Sequence, residues 1–304
     1  MDISENTGNE SNNMCAIVIH GSRILHRFGK NINHNSKINL DYINRFSKFL
    51  EDYYQKVFVI NYEDDDATEN NLKKLYTMIC EDIDDGFNVD VFGHSKGGLL
   101  AVGLSINYPI FSKKINRIFT ICTPFKGAKI TTFKRVAGNA IKYYNKSKEW
   151  ISNIFSKTST ESHATFPYKN EELLDPNDPK SFLFFINNNL DKLSPDIEYI
   201  TIGTWKDTTV PIKNSILDCK LPNVKNLIYD KNSENKNFSS DYYSHDGTLE
   251  HILFNSLNDL LVSFIKKSSS KNDAKCIFDE KYKEFHFFED CRIKDIPLLN
   301  KYEN

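Results

Sequence analysis

Short apolar runs alternate with amphipathic stretches along most of the chain. In the amphipathic stretches, such as 41–55, 72–83 and 249–265, apolar residues recur at the spacing of one helix face. Apolar strands that alternate with helices in this way are typical of a parallel sheet buried on both faces. The pattern therefore predicts a three-layer α/β fold in which about six mostly parallel strands are flanked by helices. The predicted strands are 15–19, 57–60, 89–92, 115–122, 197–202 and 224–229.

Three segments depart from this alternation and set the predicted domain limits. Residues 1–13 are rich in Asn, Glu and Ser, and we expect them to form a disordered leader. Residues 14–267 form the predicted α/β domain. An insertion at about 125–195 interrupts it, and its apolar, aromatic-rich stretch predicts a helical cap or, alternatively, a helical hairpin packed on the sheet. Residues 268–304 form a C-terminal extension that is apolar enough to fold back on the domain, and its role is not defined by the sequence.

The composition of the chain indicates which binding partners and which cellular compartment to expect. The 304 residues include 39 Lys and Arg against 41 Asp and Glu, so no net positive field exists to attract nucleic acid. No apolar run approaches the roughly 18 residues of a transmembrane helix, and the N-terminus lacks the features of a signal peptide. The six cysteines form no CxxC pair, which favours reduced thiols and a cytoplasmic location over a disulfide scaffold or a zinc site.

The strongest local motif is Gly93-His94-Ser95-Lys96-Gly97-Gly98, which follows the third predicted strand and opens a helix. A serine on a tight strand-to-helix turn needs glycine two positions before and after it, because larger residues would clash in the strained backbone. The turn exposes the hydroxyl at the carboxyl end of the sheet, and the motif predicts that Ser95 is a nucleophile. His94 is interpreted as a packing residue.

A serine nucleophile needs a base, and the base needs a carboxylate that orients it. In this architecture the acid follows a later strand of the sheet and the histidine comes last in the chain. Asp207 stands where the fifth strand ends, although it also suits a turn-capping role. His245 lies in a loop before the last predicted helix and is favoured as the base over His251, which lies inside that helix. The reserve candidates for the acid are Asp218 and Asp230.

Two backbone amides are candidates for binding the oxyanion that develops during acyl transfer. Ser22 follows His20-Gly21 at the end of the first strand, where a glycine lets the loop curl toward the serine. Lys96 follows the nucleophile directly, at the start of the helix. No spacing typical of metal ligands and no phosphate-binding glycine loop is present, so we expect neither a metal nor a cofactor.

Over roughly residues 15–267, the chain resembles the α/β-hydrolase superfamily, and within it the lipase and esterase branch. Lys96 departs from the Met or Gln that is common at its position, which predicts a cation near the entrance of the site. A long polar excursion, 223–241, precedes the histidine. The segments that carry the resemblance are Ile19-His20-Gly21, Gly93 to Gly98, Ile121 to Gly127, Ser181 to Asn187, Tyr199 to Ile202, Asp207 to Pro211 and His245 to Leu249.

The resemblance implies a serine hydrolase that cleaves carboxylic esters through an acyl-enzyme. It implies Ser95 as nucleophile, His245 as base and Asp207 as orienting acid, with the amides of Ser22 and Lys96 as oxyanion donors. A mobile apolar cap suits a lipid or another ester with a medium or long acyl chain, and its lysines favour transient contact with a membrane surface. The alternatives are a thioesterase, amidase or acyltransferase on the same fold, and a non-catalytic binding protein that retains it.

Overall fold

The computed structural model describes separate stretches of the chain. The predicted leader up to residue 12, most of the predicted cap (129–175) and the predicted helix 249–265 lie outside these residues. Among the described helices, none is long and apolar enough to cross a membrane. The described residues are 13–21, 41–60, 62, 68–83, 86–108, 112–128, 176–179, 181–204, 207, 209–229, 245 and 285–289.

Seven strands and four α-helices form the described part of the fold. Short 3₁₀ turns lie at Leu190–Lys192 and Ile212–Asn214. In chain order, the elements are β1 (Met14–Ile19), α1 (Asp41–Leu50), β2 (Lys56–Ile60), α2 (Thr68–Asp82), β3 (Asn88–His94), α3 (Lys96–Asn107), β4 (Ile115–Ile121), α4 (Phe182–Asn187), β5 (Glu198–Thr204), β6 (Val224–Tyr229) and β7 (Phe285–Glu289).

The strands form one sheet in the order β2-β1-β3-β4-β5-β6-β7. The first six strands are parallel, and β7 pairs antiparallel with β6, with Leu227 opposite Phe287. The chain runs from β1 to β2 on one side, then returns to build β3 and the later strands on the other side. This reversal leaves a crevice beyond the carboxyl ends of β1 and β3, where open α/β sheets bind their ligands. The predicted α/β-hydrolase fold is confirmed.

The strands β1 to β6 contribute residues to two separate cores, as a sheet buried on both faces requires. In β1, Cys15, Ile17 and Ile19 pack in the core formed with α2, α3 and α4. Ala16 and Val18 face the opposite core, which is formed with α1. The helices therefore lie in two layers, with the sheet between them.

Helix α4 belongs to the body of the fold. Phe182, Leu183 and Ile186 are buried in the core beside α3, and a Cβ placed on Gly103 would meet the Phe182 ring at 2.4 Å. Ser181 caps the helix by accepting a hydrogen bond from the Phe184 amide at 3.0 Å. The apolar residues that the sequence placed at the end of the cap insertion are thus part of the main core in this structure.

A buried polar cluster joins β3 and β4 near their amino ends, opposite the end that carries Ser95. The Asp90 carboxylate accepts hydrogen bonds from Arg117 at 2.6 and 3.1 Å and from the Tyr54 hydroxyl at 2.6 Å. Burial raises the pKa of Tyr54 well above its usual value, and the nearby Asp90 charge raises this pKa further. The phenol therefore keeps its proton and remains a donor, which helps to hold the two strands in register.

Candidate active site

The turn between β3 and α3 holds Ser95 in a backbone conformation that residues other than glycine rarely adopt, with φ 52° and ψ −122°. Two backbone hydrogen bonds hold this turn in place. The Ser95 amide donates to the carbonyl of Ile121 at 2.9 Å, and the Ser95 carbonyl accepts from the amide of Gly98 at 3.1 Å. The serine is thereby presented beyond the carboxyl end of β3, beside the crevice described above.

Close backbone contacts explain why glycines surround this serine. A Cβ on Gly97 would lie 2.2 Å from the carbonyl oxygen of Ile19, and one on Gly93 would lie 2.5 Å from the Cα of Gly98. On the neighbouring strand end, a Cβ on Gly21 would lie 2.9 Å from the Ser95 Cβ. The glycines allow β1, β3 and α3 to meet at one point, and the residues after β1 therefore reach the serine.

Three side chains from distant parts of the chain form a hydrogen-bonded series. His245 Nε2 lies 2.7 Å from the Ser95 hydroxyl, and His245 Nδ1 lies 2.7 Å from Asp207 Oδ2. An ionised carboxylate only accepts hydrogen bonds, so Nδ1 carries the ring proton and Nε2 accepts from the serine. The sequence predicted these three residues as nucleophile, base and acid, and the structure brings them together in that order. Their exposed fractions are only 4% for Ser95, 6% for His245 and 3% for Asp207.

Asp207 uses its two oxygens for two tasks. Oδ2 contacts His245, whereas Oδ1 accepts hydrogen bonds from the amides of Thr209 and Val210, each at 2.8 Å. The turn-capping role that the sequence offered as an alternative is therefore present together with the contact to the histidine. The two amide donors fix the orientation of the carboxylate, and this orientation aims Oδ2 at the imidazole ring.

His94 contacts the backbone of His245, the residue whose ring accepts the hydrogen bond from Ser95. Its Nε2 lies 3.0 Å from the carbonyl oxygen of His245. Since a carbonyl only accepts, His94 Nε2 carries a proton and donates it to this hydrogen bond. The sequence indicated only a packing role for His94, and the one signal for a larger role was its position beside the nucleophile. This hydrogen bond links the end of β3 to the backbone of His245.

Lys96 begins α3, so its amide has no helical carbonyl four residues earlier to accept its proton. Its side chain is buried, and the ammonium lies 5.6 Å from the centre of the Tyr62 ring, in a cation–π contact. The Tyr62 ring in turn stacks on His20, at 4.4 Å between ring centres. The cation expected near the entrance of the site is therefore buried and packed against an aromatic ring.

The other candidate residues have different outcomes. Asp218, a reserve candidate for the acid, forms an ion pair with Lys126 at 2.6 Å. The second oxyanion donor, Ser22, lies outside the described residues, as do the alternative base His251 and the reserve acid Asp230. The roles predicted for these three residues stay predictions.

Hydrogen-bonded Ser, His and Asp side chains can perform one kind of chemistry together. The imidazole can take the serine proton as the oxygen attacks an electrophilic carbon, and the buried carboxylate stabilises the imidazolium that forms. The start of α3 directs backbone N–H groups and a partial positive charge toward the same place. The arrangement suits attack on a carbonyl whose oxygen becomes negatively charged.

Solved structures with a similar fold include esterases and lipases. A metagenomic carboxyl esterase, MGS0156, is 9% identical with a TM-score of 0.38, over 64% of this chain and 51% of that one. Phospholipase PlaB from Legionella pneumophila is 11% identical with a TM-score of 0.45, over 71% of this chain and 47% of that one. The mature lipase BlEst2 from Bacillus licheniformis is 14% identical with a TM-score of 0.46, over 84% and 93%.

The chain spans about half the length of the first two of these proteins. At such low identities and TM-scores, these similarities do not indicate the substrate of this chain. The fold assignment rests on the strand order of its own sheet. No protein-family model matches the sequence, and no curated protein matches it either.

Proposed function

We propose that the protein is a serine hydrolase that cleaves carboxylic esters through an acyl-enzyme on Ser95. The observation that carries this proposal is the series Asp207–His245–Ser95, in which both hydrogen bonds measure 2.7 Å. A non-catalytic binding protein needs neither the strained serine nor a buried carboxylate aimed at the ring that faces it. Both features carry a cost in stability, which catalysis explains.

The proposed steps follow from this geometry. Ser95 Oγ attacks the ester carbonyl while its proton passes to His245 Nε2. Asp207, held by the amides of Thr209 and Val210, stabilises the charged ring. His245 then gives the proton to the departing alcohol, and the same residue activates the water that releases the acid. The amide of Lys96 is the proposed donor to the oxyanion within the described residues, and Ser22 is the proposed second donor.

The proposed substrates are esters of medium or long acyl chains, including acyl lipids. The near-complete burial of Ser95 and His245 supports this, because a reacting carbonyl has to leave water to reach them. The sequence between 133 and 155, in the predicted cap, is rich in aromatic residues, and the proposal assigns the acyl chain to this part of the chain. Each methylene buried on binding contributes about 0.8 kcal/mol, so chain length has a measurable effect on the rate.

A series of p-nitrophenyl esters from acetate to decanoate tests the proposal. We expect kcat/KM for octanoate to exceed that for acetate by at least about tenfold, which requires burial of roughly two of the six extra methylenes. Ser95→Ala is the inactive control. Ser105→Ala, which changes another buried serine on α3, is the matched active control. A preference for acetate would refute the lipid substrate class, and turnover no faster than that of Ser95→Ala would refute the ester hydrolase itself.

A further inference from the structure

A thiol lies beside the proposed acid and base. Cys122 follows β4, and its sulfur, a carboxylate oxygen of Asp207 and a ring nitrogen of His245 all lie within 4.8 Å of one another. All three residues are buried. They come from three separate places in the chain, so no spacing in the sequence reveals them as a group. The proposed catalytic chemistry uses the carboxylate and the imidazole, but it has no task for the sulfur.

Thiolate, imidazole and carboxylate are the three ligand types that proteins use for zinc. Around a tetrahedral Zn²⁺, with bonds of about 2.0–2.3 Å, ligand atoms stand about 3.4–3.6 Å apart. Atoms that already lie within 4.8 Å reach that arrangement by shifts of about 1 Å. The backbone of Cys122 is held at this point, since its amide donates to the Ile202 carbonyl at 2.8 Å.

We propose that Cys122, Asp207 and His245 bind one Zn²⁺ and that the bound ion switches the site off. The ion takes the lone pair of Nδ1, the nitrogen that now faces Asp207 Oδ2 at 2.7 Å. The neutral ring keeps one proton, which moves to Nε2. Nε2 then donates to Ser95 Oγ instead of accepting from it, so the serine loses its base while the fold stays unchanged.

The charges balance in this step. Before binding, the ionised carboxylate, the neutral ring and the thiol carry a total charge of −1. Binding adds Zn²⁺ and releases the thiol proton to solvent, which leaves the buried group neutral. A buried group gains from losing its net charge, which favours a divalent ion here over a monovalent one. Three protein ligands leave a fourth position for water.

This inference rests on the proposed function only for its inhibitory effect, and the metal site itself is tested without any substrate. Co²⁺ replaces Zn²⁺ as a probe, because a cobalt–thiolate bond adds an intense charge-transfer absorption that cobalt bound to nitrogen and oxygen alone lacks. Titration of the full chain with Co²⁺ is expected to produce this band in the wild type and in Cys219→Ser, a matched buried cysteine. The band is expected to be absent in Cys122→Ser.

The second arm measures ester hydrolysis against the concentration of free Zn²⁺. Cys122→Ser is expected to keep the basal rate and to raise the half-inhibiting concentration at least about tenfold, whereas Cys219→Ser behaves as the wild type. Cys122→Ala serves as a second variant if the serine variant does not fold. Loss of the cobalt band only in Cys122 variants supports the site even if no ester is cleaved. An unchanged band, or unchanged zinc sensitivity in an active Cys122 variant, would overturn it.

Discussion

Replacement of His245 by alanine is expected to lower kcat for ester hydrolysis by about 10⁶-fold, close to the loss from removing the serine itself. The reason is that Ser95 has its proton acceptor at 2.7 Å in His245 Nε2, and a neutral alcohol is a poor nucleophile without one. Nucleophile and base act as one unit, so removal of either costs about as much as removal of both. The effect is measured as single-turnover rates with p-nitrophenyl octanoate.

His251→Ala is the matched comparison for this prediction. The sequence left His251 open as an alternative base, and we expect the variant to stay within a few-fold of the wild-type rate. Thermal unfolding of both variants separates a catalytic loss from a loss of folding. A large loss in His251→Ala together with a small one in His245→Ala would contradict the assignment of the base.

Replacement of Asp207 by asparagine is expected to lower kcat by about 10⁴-fold. The amides of Thr209 and Val210 hold Oδ1 as an acceptor, so the amide oxygen of asparagine takes this position. The NH₂ group then faces His245 Nδ1, which has to accept a hydrogen bond and give up its proton to Nε2. The ring is left in the tautomer that cannot accept from Ser95, although the turn keeps its hydrogen bonds.

Asp218→Asn is the matched control, because Asp218 was one of the two reserve candidates for the acid and pairs with Lys126. This partly buried ion pair lies outside the Ser95–His245–Asp207 series, and we expect activity within a few-fold of the wild type. The two variants are compared by kcat and by the nitrogen chemical shifts of the His245 ring, which report the tautomer. A wild-type tautomer in Asp207→Asn would contradict the proposed role of Asp207.

The sequence predicted the sheet well, because most of its parallel strands are short, nearly continuous apolar runs. The bounds of β6 agree with the predicted run, and those of β5 lie one residue later at the start and two residues later at the end. The antiparallel strand β7 was not predicted, because its partner is set by tertiary pairing rather than by the alternation of strands and helices. The predicted insertion at about 125–195 includes the residues of α4, because a short apolar stretch looks alike in an insertion and in a core.

The candidate site was predictable where local backbone geometry demands particular residues, as the glycines around Ser95 show. Contacts between distant segments carry no such local signature. The hydrogen bond from His94 to the carbonyl of His245 joins residues separated by 151 positions. The approach of Cys122 to Asp207 and His245 likewise depends on how three distant parts of the chain come together. Both contacts can be seen only in the folded structure.

The central proposal is that Ser95 forms a covalent acyl-enzyme, and a fluorophosphonate probe tests it most directly. The probe transfers its phosphonyl group to an activated serine with loss of fluoride, and intact mass and peptide mapping show where it binds. We predict one phosphonyl group per chain, located on Ser95, with no adduct in Ser95→Ala. An adduct on another residue, or ester turnover by a wild-type chain that takes up no phosphonyl group, would contradict the proposal.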